Sequence, residues 1–133
     1  MSCYTKKNIM KQFTAQFFEF MSFVKENSNK DKVIYAFYTR CNILKKVNVK
    51  LFIKTWHDNI TTIYYNHIMN DNISFFLNKD YNSDINKTGN TNIDFNKYIN
   101  HMKISYNTFS ELFKQRIVTY IKNLTSLSYD YFK

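Results

Sequence analysis

His57 and Asp58 are the residues whose types most directly suggest catalysis, because a carboxylate that orients an imidazole makes it an effective general base. They are adjacent in sequence, however, and neighbouring side chains on a helix diverge by about 100°. An oriented pair is therefore not expected. The chain also contains no G-x-S-x-G, glycine-rich phosphate loop or H-E-x-x-H motif. We predict no enzyme, with an active site assembled from several helices as the alternative.

The histidines and cysteines do not indicate metal or redox chemistry. His57, His67 and His101 are not spaced to share a helical face with carboxylates or cysteines. The periodicity instead places His67 in an apolar stripe, as a core residue. Cys3 and Cys41 form neither a C-x-x-C unit nor a disulfide framework, so two reduced thiols in an intracellular protein are expected. We predict no cofactor and no metal site.

The most specific surface feature is basic. The net charge is +9, and residues 1–60 carry 11 basic and 4 acidic side chains. On a helix, one stripe beside the apolar face would combine Lys50, Lys54, His57, Thr61 and Tyr65, and just upstream lie Arg40, Lys45 and Lys46. Like charges one turn apart repel each other unless an anionic partner neutralises them. The stripe predicts binding of a polyanion or an acidic protein surface, with a solvated lysine face as the alternative.

Two properties of the composition weaken the case for nucleic acid as the partner. Lysine outnumbers arginine 17 to 2, so bidentate contacts to bases and phosphates would be few. Asparagine, lysine, isoleucine, tyrosine and phenylalanine fill more than half of the chain, and their codons are rich in A and T. The basicity therefore has genome composition as a second explanation. No helix-turn-helix or RNA-binding signature is present.

The stripe depends on a long helix that we predict from about 48 to 70, around the only tryptophan, Trp56. Asn48 is a plausible N-cap. About 21 residues at about 1.5 Å each give a rod about 30 Å long, enough to cross a small domain. The apolar residues that follow a 3.6-residue period, and so define its buried face, are Val49, Phe52, Ile53, Trp56, Ile60, Ile63 and Tyr64.

Similar periodicities predict the helices around this rod. They run from Ile9 to Val24, from Val33 to Leu44, from Phe95 to Met102 and from Phe109 to Leu127. Phe18 falls on the outer side of the first helix, as an ordinary exposed residue or part of a contact surface. The predicted core comprises Phe13, Phe17, Phe20, Phe37, Phe52, Ile53, Trp56, Ile60, Phe113 and Tyr120. With 133 residues, no proline and one glycine, we predict a single all-α domain, a bundle of about five to six helices.

The last predicted helix is the natural partner of the Trp56 helix. A T-x-x-E sequence from Thr108 to Glu111 predicts a capping box at its start. Arg116 falls inside its apolar stripe, where its stem would pack while the guanidinium reaches water or a carboxylate such as Asp58. The alternative is a buried arginine that binds an anion or a partner. Between the Trp56 helix and the helix that begins at Phe95, we predict a helical turn with Ile73, Phe76 and Leu77, and a polar loop at about 78–94.

Membrane insertion and secretion are not indicated. The N-terminal residues include no continuous apolar segment, and the most apolar stretch, FFEFMSFV, is short and contains Glu19. We therefore expect no membrane partner, no secretion and a location inside the cell.

Two segments of the chain resemble a family of small uncharacterised helical proteins of nucleocytoplasmic large DNA viruses, the giant viruses of protists and algae. The segments are KLFIKTWHDNITTIYYNHIMNDNISFFLNKDY at 50–81 and YIKNLTSLSYDYF at 120–132. The resemblance implies a viral origin, synthesis in a host cytoplasm and an AT-rich genome, and it transfers no catalytic residue.

Two hypotheses of function follow. The first is a non-enzymatic structural or protein-interaction module, a component of the virion or virus factory that binds a viral or host protein. The second is a basic accessory protein that binds nucleic acid.

Overall fold

The computed structural model describes residues 3–70 and 95–133, which are helical apart from short connections. The helices are α1 (Cys3–Asn27), α2 (Lys32–Lys45), α3 (Lys50–Trp56), α4 (Thr62–Met69), α5 (Phe95–Tyr106) and α6 (Glu111–Phe132). A π-helical turn, His57–Thr61, joins α3 to α4. No strand occurs in these two ranges, and the predicted all-α bundle is confirmed. The predicted helical turn near Ile73 and the loop at about 78–94 lie outside the described residues.

Helix α1 lies against α2, α3 and α6 and buries more than one stripe. Phe13, Phe20 and Val24 are fully buried, at the spacing of a helix with one inward face. Phe18 was predicted on the outer side, but its ring centroid lies 5.2 Å from that of Phe52 in α3. Because two neighbouring helices flank α1, the side chain beside the main stripe is also covered.

Short polar side chains fix the starts of α2 and α6. The Asp31 carboxylate accepts hydrogen bonds from the backbone N–H groups of Val33 and Ile34 at 2.9 and 3.2 Å. At α6 the predicted capping box is wrong. Ser110 is the N-cap, and its hydroxyl accepts from the Phe113 N–H at 3.2 Å. Thr108 instead donates to the Ser105 carbonyl at 2.7 Å, which closes the end of α5.

Helices α3 and α4 and the π-helical turn form one continuous rod over residues 50–69, close to the predicted bounds. The backbone stays right-handed at both junctions, with φ −61° and ψ −46° at Trp56 and φ −64° and ψ −46° at Thr61. The N-cap is Val49 rather than Asn48, and no side chain caps the first turn. The carbonyl of Asn48 accepts from the Leu51 N–H at 3.2 Å.

The π-helical turn changes which side chains of the rod face the core. A π turn holds one residue more than an α turn, so later residues rotate back by one position. Tyr64 is buried as predicted and is followed in the core by Ile68, whereas Ile63 is 55 % exposed and Val49, at the rod's start, is 37 % exposed. The prediction that Val49 and Ile63 hold the core is wrong. His67 is half-buried, and its neighbour Ile68 takes the core position.

Trp56 lies at the centre of the core. Its ring makes edge contacts with Phe13, Phe20 and Phe95, with centroids 6.4, 6.4 and 5.8 Å away. Of the ten residues predicted for the core, Phe113 is only partly buried and the others are buried. Phe113 lies in the first turn of α6, at the edge of the bundle.

A buried polar seam, formed by Trp56, Thr61, Thr125 and Ser128, joins the rod to α6. The indole N–H of Trp56 donates to the Thr125 hydroxyl at 3.1 Å. The hydroxyls of Thr61 and Ser128 are hydrogen-bonded to each other, and Ser128 also bonds to the Thr125 carbonyl at 3.1 Å. Each side-chain polar group of the seam thus has a partner, which fixes the register between the two helices.

Candidate functional site

The predicted basic stripe does not form a free surface, because α6 covers much of it. Thr61 is buried in the polar seam and is not exposed as predicted. The ring of Tyr65 stacks on that of Tyr129, with centroids 4.2 Å apart and an interplanar angle of 20°. The ammonium of Lys54 pairs with the Asp58 carboxylate of its own helix at 2.9 Å.

His57 is likewise part of the packing against α6. Its ring centroid lies 4.3 Å from that of Phe132, and its Nδ1 atom is buried without a hydrogen-bond partner among the described residues. Burial lowers the pKa of His57, and the Asp58 charge raises it by less than burial lowers it. Burial in this packing therefore disfavours the positively charged imidazole. The two neighbours do not form an oriented catalytic pair.

Several basic side chains lie over aromatic rings. The ammonium of Lys45 is 4.6 Å from the Phe18 ring centre, and that of Lys50 is 6.0 Å from the Tyr131 ring centre. Arg116 is exposed and not a buried charge, with its guanidinium carbon 4.9 Å from the Phe23 ring centre. Its partner is thus a ring of α1 rather than the carboxylate of Asp58. These three cations thus lie on aromatic rings of α1 and α6.

The Asp31 carboxylate and His101 form a pair that the sequence analysis missed. His101 Nδ1 lies 3.0 Å from Asp31 Oδ2, between α5 and the start of α2. Burial alone would raise the pKa of Asp31, but hydrogen bonds from His101 and the backbone of Ile34 and Val33 hold it below its usual value. Because the carboxylate is also the cap of α2, the pair is a link between helices.

Cys41 carries no accessible thiol. Its side chain is fully buried, and burial raises the pKa of the thiol to about 12. The thiolate, which is the nucleophile and the metal ligand, is therefore not populated at neutral pH. In the described part of the chain no three His, Cys, Asp or Glu residues lie close enough together to hold a metal ion. No helix within residues 3–70 and 95–133 has the length and apolar character that a membrane span requires.

The connection between α2 and α3 exposes apolar side chains among lysines. We call this surface the α2–α3 corner and define it by Ile43, Lys45, Lys46, Val47 and Val49. Ile43 is 62 % and Val47 80 % exposed. The turn has a regular backbone, since the N–H groups of Val47 and Asn48 both donate to the Leu44 carbonyl, at 3.0 and 2.8 Å. The sequence analysis assigned Lys45 and Lys46 to a binding surface but not the apolar residues beside them.

Arg40 lies elsewhere, in a cleft between α2 and α5. We call it the α2–α5 cleft; it has a volume of about 250 Å³, and its lining residues are Lys32, Val33, Ala36, Phe37, Arg40 and Lys97. The structure thus separates Arg40 from Lys54, His57 and Tyr65, which were predicted to act together. The eight-residue spacing of Lys32 and Arg40 on one helical face was a signal available in the sequence, whereas the contribution of Lys97 was not.

These observations define a basic all-α bundle in which α6 packs against the rod. No family model, curated protein or solved structure matches the chain.

Proposed function

We propose that this chain is a non-enzymatic protein-interaction module that binds an acidic, partly apolar protein segment at the α2–α3 corner. The observation that carries the proposal is the exposure of Ile43 and Val47 on either side of two exposed lysines, Lys45 and Lys46. Large apolar side chains that are grouped and rimmed by charge are typical of binding surfaces.

Charge decides which partner suits this surface. Residues 43–50 contain three lysines and no carboxylate. A second copy of this chain is a poor occupant, because each copy has a net charge of +9 and would bring like charges together. An acidic segment with apolar anchors complements both the lysines and the side chains between them.

The proposed setting is a virion or virus factory of a large DNA virus, and the partner a viral or host protein. The support for this setting is the sequence resemblance alone. Nucleic acid also carries negative charge, so it is the competing partner that an experiment must separate from an acidic protein.

A titration with defined probes tests the proposal. The protein, labelled at its Ile and Val methyl groups, is titrated with an amphipathic peptide of Glu and Leu, with its Gln and Leu counterpart, and with oligo-dT. We expect the acidic peptide to shift the methyl resonances of Ile43 and Val47 saturably, and the Gln peptide to bind at least tenfold more weakly. Tighter binding of oligo-dT at these methyl groups, or no shift with the acidic peptide, would overturn the proposal.

Matched variants locate the contact. The double variant Ile43→Ser and Val47→Ser should lose binding of the acidic peptide. The double variant Ile104→Ser and Leu112→Ser removes apolar side chains that are 64 % and 71 % exposed on other helices, and should bind as the unmodified protein does. Equal losses in both variants would indicate nonspecific adsorption and contradict the assignment.

A further inference from the structure

We propose that the α2–α5 cleft binds the phosphate monoester of a small organic molecule, with the phosphate between Arg40 and Lys97 and the organic group on Val33, Ala36 and Phe37. This site is separate from the α2–α3 corner and takes a different kind of ligand, so the inference goes beyond the proposed function.

The register of α2 against α5 brings the two cations to the same end of the cleft. Asp31 lies beside His101, at 3.0 Å, and the ring of Phe37 stacks on that of Tyr98 with centroids 4.4 Å apart. Residue numbers thus rise along α2 as they fall along α5, and the helices are antiparallel. Arg40, one turn beyond Phe37, therefore lies across from the first turn of α5, which contains Lys97.

The cations of the cleft differ from most other cations whose contacts are known. Lys25, Lys45 and Lys114 lie over aromatic rings, and Lys54 pairs with a carboxylate. Lys32, Arg40 and Lys97 have no ion pair, hydrogen bond or aromatic contact with any described side chain, and none of the described residues that line the cleft is a carboxylate. Positive charges that converge on a concave surface concentrate the field there and attract an anion.

The start of α5 adds to this positive potential. Lys97 lies in the first turn of α5, and no acidic residue lies in that turn from Phe95 onward, whereas Lys32 follows the Asp31 carboxylate that caps α2. Cations at the N-terminus of a helix interact unfavourably with its dipole. A dianion in the cleft would offset this repulsion at the Lys97 end, where it would also neutralise Arg40.

The floor and the volume of the cleft define the ligand class. The cleft volume of about 250 Å³ is roughly that of eight water molecules, at about 30 Å³ each in the liquid. That is room for a phosphate with a small organic group. Val33, Ala36 and Phe37 are apolar and offer no hydrogen bond to a second polar group. A phosphate monoester, with a charge of about −1.5 to −2, matches the two cations Arg40 and Lys97 better than a carboxylate does, and the Arg40 guanidinium can bind two of its oxygens at once.

Phenyl phosphate is a suitable probe, with inorganic phosphate, benzoate and phenol as comparisons. Binding to the intact protein is measured from the methyl resonances of Val33 and Ala36 in a phosphate-free buffer of low ionic strength. We expect saturable shifts with phenyl phosphate, at least tenfold weaker binding of inorganic phosphate and benzoate, and no binding of phenol. Shifts that do not saturate, or equal binding of inorganic phosphate, would overturn the proposal.

Substitutions separate a specific site from the general positive charge of the protein. Arg40→Gln should weaken phenyl phosphate binding at least tenfold, and Arg40→Lys, which keeps the charge, should weaken it by about threefold to fivefold. Lys11→Gln removes one exposed charge from α1 and should change the affinity by less than twofold. An equal loss for Lys11→Gln and Arg40→Gln would show that only net charge matters and would contradict the site.

A charge-neutral variant tests the apolar floor independently. Ala36→Leu places a larger side chain in the cleft and should weaken phenyl phosphate at least tenfold while leaving inorganic phosphate unchanged. Ala36 is exposed, so this substitution does not disturb the core. Unchanged phenyl phosphate binding in this variant would exclude the cleft as the site. Neither result depends on binding at the α2–α3 corner.

Discussion

Basic and aromatic residues lie both on the side of the rod that α6 covers and on the outer surface of α2, but their surroundings differ. On the rod, Tyr65 stacks on Tyr129 and His57 on Phe132, because α6 runs alongside. On α2, no described side chain pairs with Lys32 or Arg40. Basic and aromatic residues one turn apart are thus structural where a second helix covers them and available for binding where none does. Their spacing within one helix does not distinguish the two cases.

The largest expected loss of stability follows from a substitution in the core, on the side of the rod that α6 covers. Trp56→Ala should lower the free energy of unfolding by about 3 to 5 kcal/mol, because it removes the central aromatic side chain and leaves a cavity. Val47→Ala, on the α2–α3 corner, should change it by less than about 0.5 kcal/mol. Urea unfolding measures both. A loss below about 1 kcal/mol for Trp56→Ala would contradict the packing described for the rod.

The next effect concerns the polar seam. Thr125→Val removes the acceptor of the Trp56 indole N–H and should cost about 1 to 3 kcal/mol, since a buried donor is left without a partner. Thr119→Val, on the same helix, removes an exposed hydroxyl that bonds only to the Gln115 carbonyl. Its cost should stay within about 0.5 kcal/mol. Similar costs at both positions would mean that the seam does not hold α6 on the rod.

A smaller, pH-dependent effect is expected where α2 meets α5. Asp31→Asn keeps a capping side chain but removes the charge near the helix N-terminus and His101, and should cost about 0.5 to 1 kcal/mol at pH 6. The folded-state pKa of Asp31 is below its usual value of 3.8, so its stabilising effect is present above that value and lost as pH falls through the folded-state pKa. Unfolding of both proteins in urea from pH 6 to pH 2 should show the difference disappearing at the acid end. A difference that stays constant with pH would contradict this role.

The smallest changes in the free energy of unfolding should have opposite signs on the rod and on α2. Lys54→Gln removes an exposed pair with Asp58 and should destabilise the protein by about 0.3 to 0.5 kcal/mol. Lys32→Gln removes a cation from the first turn of α2 and should stabilise it by about 0.3 kcal/mol. Thermal unfolding at low ionic strength resolves the two, and both effects should shrink in 1 M salt. A destabilising Lys32→Gln would show that Lys32 has a stabilising partner.

The buried face of a helix was predicted correctly from residue spacing wherever the helix keeps a regular 3.6-residue period. Phe13, Phe20 and Val24 on α1, and Tyr98 and Met102 on α5, are buried as their spacing predicts. The exposure of Ile63 was missed because it depends on the π-helical turn. The hydrogen bond that accompanies this turn joins Thr61 and Ser128, which lie 67 residues apart. Periodicity within one helix contains no information about such a partner.

The candidate sites were predicted less well than the fold. Arg40, Lys45 and Lys46 were assigned to a binding surface, but Tyr65 and His57 were assigned to the same one because the position of α6 was unknown. The pair of Asp31 and His101 was missed for the same reason, since 70 residues separate its members. Lys97 could not be placed beside Arg40 before the antiparallel packing of α2 and α5 was known. Contacts between helices, rather than patterns within them, decide which charges remain free.

The most direct test of the central claim, that the partner surface is the α2–α3 corner and not the predicted basic stripe of the rod, is site-specific photo-crosslinking. A benzophenone amino acid replaces Val47 in one protein and Lys54 in another, and each is irradiated with an equimolar mixture of the amphipathic Glu and Leu peptide and oligo-dT. We expect Val47 to yield adducts mainly with the acidic peptide, with yields reduced by Lys46→Glu, and Lys54 to yield few. Equal or greater yields from Lys54, or adducts of Val47 mainly with nucleic acid, would contradict the claim.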